Sequence, residues 1–244
     1  MNEIEKFQDE KKNNIILQGD NKELKDATNT FMEVSIKSRY SYNFSWMGRP
    51  IIQYPQDMIA MQEIIWDIKP DLIIETGIAH GGSLIFYASI LELIGKGEIV
   101  GVDIDIRKHN KEEIEKHSMF KRIKMLEGSS IDKKIVEQVA ALAKGKEKVI
   151  VVLDSNHTHD HVLEELKLYS PFVSLNSYII AFDTIVEVLP DDFYVTERPW
   201  RVGNNPMTAV DEFIASNASF EIDEDIDNKI LVSVAPRGYL KRIN

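Results

Sequence analysis

Cysteine is absent from the 244 residues, so the chain offers neither disulfides nor thiolate metal ligands. That composition fits a reducing compartment, and the expected location is the cytoplasm. No apolar run approaches the ~20 residues that a membrane span needs. Residues 1–26 are charged and carry no apolar core of a secretory signal, so an intracellular protein is expected. Positive charge is in deficit: 29 Lys and Arg stand against 40 Asp and Glu, a net charge of −11. Such a surface repels nucleic acid and anionic membranes. One short basic run, Lys121-Arg122-Ile123-Lys124, leads into an expected strand and reads as a solvated edge. Small molecules are therefore the expected partners. Internal repeats and low-complexity linkers are also missing, and 43% hydrophobic with 28% charged residues suits one decorated α/β domain.

What is present is an alternation. Residues 1–50 are polar and weakly patterned, and are expected to form a helical extension or lid before a main domain over 51–244. This arm could exchange between subunits, which makes a homo-oligomer one possible state. Within it, Tyr40-Ser-Tyr-Asn-Phe-Ser-Trp46 is rich in aromatics and Gly48-Arg-Pro50 marks a turn. Pro55 opens a helix whose apolar stripe includes Met58, Met61, Ile64, Ile65 and Ile68. Runs rich in Ile and Val then recur at Leu72–Glu75, Ile99–Asp103, Ile123–Leu126, Lys148–Leu153 and Tyr178–Phe182. Amphipathic stretches separate them. Strands apolar on both faces require helices on both sides, which predicts a doubly wound, mostly parallel sheet. An irregular piece over Glu187–Asn205 precedes a helix capped by Asn205 with Pro206 at its first position. Ile230–Ala235 reads as a last strand.

The chemistry is expected beyond the carboxyl ends of these strands, where open α/β sheets bind ligands. The first strand runs into Glu75-Thr-Gly-Ile-Ala-His-Gly-Gly-Ser83. Its glycines allow a sharp turn and close approach of a ligand to the backbone. The dinucleotide fingerprint Gly-x-Gly-x-x-Gly is not met, because position 79 is Ala. An acid two residues before Gly77 suits a cofactor with a cationic amino group. Glu75, Gly77, Ala79, His80, Gly81 and Ser83 are the expected cofactor loop, with a buried structural role as the other reading of Glu75. Asp103, or Asp105 beside it, can accept the hydroxyls of a ribose. Ser129, in the turn after the third strand, can line an adenine pocket, cap the next helix, or both.

The fourth strand ends in Leu153-Asp-Ser-Asn-His-Thr-His-Asp-His161, and the fifth in Ala181-Phe-Asp-Thr184. Parallel neighbours set Asp154 beside Asp183, and two carboxylates with water suit a hard cation such as Mg²⁺. His157 and His161, read as a helical pair, could instead hold zinc.

Together these motifs, with Asn43-Phe-Ser-Trp-Met-Gly-Arg-Pro50, Arg198-Pro-Trp200 and Gly203-Asn-Asn-Pro206, resemble the cephalosporin hydroxylase family, which includes rhamnosyl O-methyltransferases. The resemblance runs from about Tyr40 to the C-terminus. It implies a Rossmann-like methyltransferase fold with a seven-stranded sheet, S-adenosylmethionine as cofactor, and a divalent cation such as Mg²⁺ held by Asp154 and Asp183. Part of the family carries an acid before the second aspartate; here Phe182 stands there, and the third ligand falls to Thr184. The chain is more distantly similar to catechol O-methyltransferases, whose catalytic lysine lies three residues after the first metal acid. Here that position is His157.

These readings predict methyl transfer to a hydroxyl of a sugar or related small molecule, as in polysaccharide or natural-product tailoring. Asp154 would act through the metal and His157 as base. Trp46, Arg198, Trp200 and Asn204 are the expected acceptor walls. The competing readings are an NAD-dependent oxidoreductase, whose phosphate loop is missing, and a non-catalytic member of the fold. An iron oxygenase ranks last, since no His-x-Asp or His-x-Glu occurs.

Overall fold

The extension begins with two helices, and a computed structural model describes residues 2–190 and 198–244. Asn2 caps α1 (Glu3–Asp20) in a reciprocal box with Glu5, and Asn21 caps α2 (Lys22–Lys37). A two-stranded antiparallel hairpin follows, β1 (Phe44–Trp46) and β2 (Arg49–Ile51). Its turn places Met47 and Gly48 at φ 46° and 87°, the left-handed geometry that matches strand twist. α3 (Pro55–Ile68) starts on its proline as the sequence predicts.

The main alternation then runs β3 (Leu72–Thr76), α4 (Gly82–Ile94), β4 (Glu98–Asp103), α5 (Lys108–Lys116), β5 (Ile123–Glu127) and α6 (Lys133–Ala143). It continues with β6 (Val149–Leu153), α7 (His159–Tyr169), β7 (Tyr178–Ala181), α8 (Pro206–Ser216), β8 (Phe220–Ile222), α9 (Glu224–Ile230) and β9 (Tyr239–Arg242). β3 to β9 form one seven-stranded sheet in the order β5-β4-β3-β6-β7-β9-β8. Its first five strands are parallel, and β9 pairs antiparallel with both β7 and β8. The order reverses between β3 and β6, and the crevice opens there.

Strand periodicity assigns each residue to one of two cores. Ile73, Ile99, Val152 and Ile180 face α3, α4 and α9. Leu72, Ile74, Val100, Val151 and Ile179 face α6, α7 and α8. All five residues of β3 are buried, as a central parallel strand requires. Each fully buried Ile or Leu contributes about 1.5–3 kcal/mol.

The C-terminus corrects one expectation. Ile230–Ala235 is not a strand: α9 ends at Ile230, Leu231 takes φ 57°, and the pairing strand is β9. The run is apolar because it crosses the core, where strand and buried coil share a composition. It is fixed there by Asp57, wholly buried, which accepts from the Ser233 hydroxyl (2.6 Å), the Val234 amide (3.0 Å) and the Tyr239 hydroxyl (2.8 Å). α1 buries none of its own residues and leans on α9, where Gln18 donates to the Asn228 carbonyl. No described helix is long and apolar enough to cross a membrane. Of the irregular piece expected over Glu187–Asn205, residues 191–197 lie outside those described.

Candidate active site

The loop after β3 is built from below by an acid. Glu75 is 1% exposed, accepts the Ser83 hydroxyl at 2.8 Å and is also bonded by the Tyr87 hydroxyl. Burial pushes its carboxyl up to about 8, the neighbouring Asp103 charge adds to the rise, and the two hydroxyls oppose it. Glu75 thus ties the end of β3 to the first turns of α4 and sits under the loop, lining neither cavity beside it.

This has a measurable consequence. A carboxyl raised from 4.5 to about 8 binds its proton more tightly in the folded state. Its stabilisation is complete below the unfolded value and is lost as pH rises through the folded one. Asp57, pushed up to about 6, and Asp227, pushed up to about 7, both chiefly by burial, act in the same direction. The melting temperature should therefore fall by roughly 5 °C or more from pH 6 to pH 8. Glu75→Gln should flatten the upper part of that decline. A melting temperature that rises over this range contradicts the assignment.

Above Glu75 the loop is clamped from two sides. Asp103 Oδ2 accepts from the amides of Ile78 (2.8 Å) and Ala79 (3.3 Å), and Oδ1 accepts from Asp105 N (3.0 Å). From the hairpin, Arg49 donates to the His80 carbonyl through Nε (3.0 Å) and Nη2 (2.6 Å), and to Asn110. Asn110 in turn donates to the Ala79 carbonyl. Gly77, at φ 91°, lies against the backbone of β6's end: a Cβ there would stand 2.0 Å from the Asp154 carbonyl oxygen. Arg49 and Asn110 were not foreseen, because a lone Arg in a hairpin and an Asn inside a charged helix carry no periodic signal.

Two cavities flank this loop. One of about 240 Å³ is lined by Gly77, Asp103, Ser129, Ser130, Asp154 and His161, among others. A smaller one of about 50 Å³ lies on the other side, against Gly77, His80, Ser83, Asp154 and the segment after β2. Asp105 and Gly81 line neither. A larger cavity of about 540 Å³ lies at the opposite edge of the sheet, near Lys148 and Lys241, and contains none of the predicted residues.

Asp154, His157 and Asp183 each place a ligand atom within 4.8 Å of the others, beyond the ends of β6 and β7. His157 Nε2 is 3.1 Å from Asp183 Oδ2. Burial raises the Asp154 carboxyl well above the usual range, and the charges of Asp183 and Glu75 raise it further. All three are half-buried, and the two carboxylates and the imidazole are groups that could hold a divalent cation.

Thr184 is not brought to this cluster. It is wholly buried and its hydroxyl donates to the Pro236 carbonyl at 2.7 Å. The left-handed turn at Asp183, φ 58°, precedes a 3-10 turn over Thr184–Val188. Nor does a helical His157–His161 pair form. α7 begins at His159, and His161 Nε2 turns to Ser130 Oγ (3.1 Å), Ser155 Oγ (3.4 Å) and Glu165 Oε1 (3.6 Å). Glu165, wholly buried, also accepts from Ser155 and was missed among the leucines of α7.

The expected acceptor walls divide. Trp200 packs edge-on against His157 with ring centroids 4.9 Å apart, and the Arg198 guanidinium lies 5.2 Å from the Trp200 ring. Asn204 holds the loop instead. Its Oδ1 accepts the His159 amide that opens α7, and its Nδ2 donates to the Pro199 carbonyl. Glu187 accepts from Gly203 N and from Asn205 Nδ2, closing the segment across its base. Trp46 is engaged along α4: its indole donates to Ser89 (3.0 Å) and packs against Phe86 (4.9 Å).

Known proteins share this arrangement of strands. A solved structure of CmcI with Mg and SAM superposes with a TM-score of 0.59 at 18% identity, covering 83% of this chain and 78% of that one. An O-methyltransferase from Bacillus cereus in complex with SAH gives 0.54 at 14% identity, covering 89% and 91%. At such identities the likeness speaks for the fold. In sequence, the rhamnosyl O-methyltransferases of Mycobacterium tuberculosis and Mycobacterium leprae are 29% and 28% identical over 209 and 204 residues. Those alignments cover 81% of this chain in both cases, and 78% and 82% of the relatives. The family model described as Rhamnosyl O-methyltransferase/CmcI matches residues 38–243, which takes in the hairpin, the whole sheet and the acid cluster, and the chain belongs to that family.

Proposed function

We propose that the protein transfers the methyl group of S-adenosylmethionine to a hydroxyl of a sugar or sugar-bearing small molecule, assisted by Mg²⁺ or a similar divalent cation. The observation that carries this reading is the meeting of Asp154, His157 and Asp183 beside a cavity lined by Asp103 and Ser129. The nucleoside end of the cofactor belongs in that cavity, with Asp103 available to a ribose and Ser129 to the base. Asp154 and Asp183 offer the hard oxygen donors that Mg²⁺ prefers, and the mutual repulsion of their carboxylates favours a cation there. When bound, the cation lowers the pKa of an acceptor hydroxyl and the sulfonium supplies the methyl group.

The chain's own residues do the rest. Asp183 holds the His157 ring in one orientation, and the imidazole receives the hydroxyl proton. Trp200 walls the ring on its edge and keeps water from it. Since a sulfonium methyl is already reactive, positioning supplies most of the acceleration. A rhamnosyl acceptor is the class named by the mycobacterial relatives, and Trp200 with Arg198 offers a flat surface and donors for such a ring.

Thermal melts test the cofactor. S-adenosylhomocysteine at hundredfold excess over its Kd should raise the melting temperature by roughly 5–10 °C. NAD(H) should leave it unchanged. A shift with NAD(H) alone restores the oxidoreductase reading, and no shift with either supports a non-catalytic member. With labelled S-adenosylmethionine and a rhamnosyl glycoside, transfer should stop on chelation and return with Mg²⁺.

A further inference from the structure

α1 carries one stripe at helical spacing, Ile4, Phe7, Lys11, Ile15 and Gln18, and its two halves differ in use. In the C-terminal half, Gln18 donates to the Asn228 carbonyl of α9, and Lys11 and Ile15 are half-buried. The N-terminal half is bare. Residues 3–10 are exposed throughout, with Ile4 at 73% and Phe7 at 63%. At about 1.5 Å per residue they reach roughly 12 Å past Lys11. Large apolar side chains held out in this way on a capped helix mark an interaction surface.

The 540 Å³ cavity lies where this arm leaves the body. Glu63 lines it, Lys11 stands 4.0 Å from Glu63, and Lys229, also in the lining, bonds the same carboxylate. Its apolar wall includes Ile64, Ile68 and Leu175, the last 60% exposed. Its charge is opposite to that of the whole chain. Lys148, Lys229 and Lys241 line it against Glu63 and Asp67, and Lys11 adds a cation at the rim, in a chain of net charge −11. Lys241 makes no ion pair among the described residues. The projecting half of α1 is the complement, with Glu3, Glu5, Asp9 and Glu10 outnumbering Lys6 around two apolar side chains. Residues 3–10 do not line the cavity of their own chain.

We infer that the occupant is a second copy of this chain. A two-fold axis beside Lys11 sets residues 3–10 of each copy into the cavity of the other. Ile4 and Phe7 meet the apolar wall, as a helix face does in a groove, and the acids beside them meet the lysines. The contact is isologous and closes at two copies. It uses α1, which precedes the family match over residues 38–243, so this interface belongs to the chain's own extension. The acid cluster lies at the other ends of β6 and β7 and is left open.

Sedimentation of the full-length protein, with variants at each side of the contact, tests this. The unmodified protein should be a dimer at micromolar concentration. Phe7→Ser in the arm and Leu175→Asp in the cavity should each weaken that dimer tenfold or more, roughly the loss expected for a central anchor. Both positions are exposed, so circular dichroism should be unchanged. Should Leu175→Asp alter the spectrum, Lys241→Glu takes its place by repelling the acids of the arm. Mixing the arm variant with the cavity variant should restore dimers, because one intact arm still meets one intact cavity. A monomeric unmodified protein overturns the proposal. So does a dimer indifferent to both substitutions, or a mixture that associates no better than its components.

Discussion

Asp154→Asn is expected to lower methyl transfer by roughly a thousandfold, the scale of several kcal/mol of electrostatic assistance at a metal site. The substitution keeps shape and removes one of two carboxylates that meet within 4.8 Å. It should not unfold the protein. Asp154 is half-buried and its carboxyl is held well above the usual range by burial and by Asp183 and Glu75, so a neutral amide of the same shape replaces it without an added cost in the unliganded state. Activity and stability should thus separate: turnover collapses while the melting temperature holds. Steady-state rates over a Mg²⁺ titration, read beside melts without metal, check both halves. Full metal-dependent turnover in Asp154→Asn would remove this residue from the mechanism.

Gly77→Ala should cost more than about 4 kcal/mol or prevent folding. Two penalties combine. The residue occupies φ 91°, where a Cβ is strained, and that Cβ would lie 2.0 Å from the Asp154 carbonyl oxygen. The oxygen is backbone and cannot swing away, because Asp154 N is itself bonded to the Thr76 carbonyl at 2.9 Å. Gly48→Ala is the control: it has φ 87° with nothing within 4 Å, so it meets the conformational penalty alone, about 1–2 kcal/mol. Denaturant unfolding of the two variants isolates the steric part. Equal losses would mean that the close approach of loop and strand carries no weight.

The sequence was most readable where burial is two-sided. β3, β4 and β6 announce themselves as Ile-Val runs because helices cover both faces, and the strand ends then place Asp103, Asp154 and Asp183 along one edge. What could not be read was direction within a few ångströms. Thr184 and Asp183 are neighbours in the chain, yet the left-handed turn at Asp183 sends the threonine hydroxyl into the core. His161 looked like a partner of His157, but α7 starts between them and turns His161 toward Glu165. Trp46 and Asn204 were placed in the acceptor wall on residue type; each has instead spent its polar atoms on holding backbone or helix. Ile230–Ala235 failed as a strand for a different reason, since its amides are taken up by Asp57, the Ser233 hydroxyl and carbonyls of α9 and not by a neighbouring strand.

The Glu187 carboxylate joins Gly203 and Asn205 across the base of the segment that carries Arg198 and Trp200. Its two ends are therefore secured locally, while the cofactor loop is stitched into β3, β4 and β6. Trp200 and Asn204 nevertheless tie this stretch to His157 and to the first amide of α7, so a change there reaches the acid cluster through those two contacts.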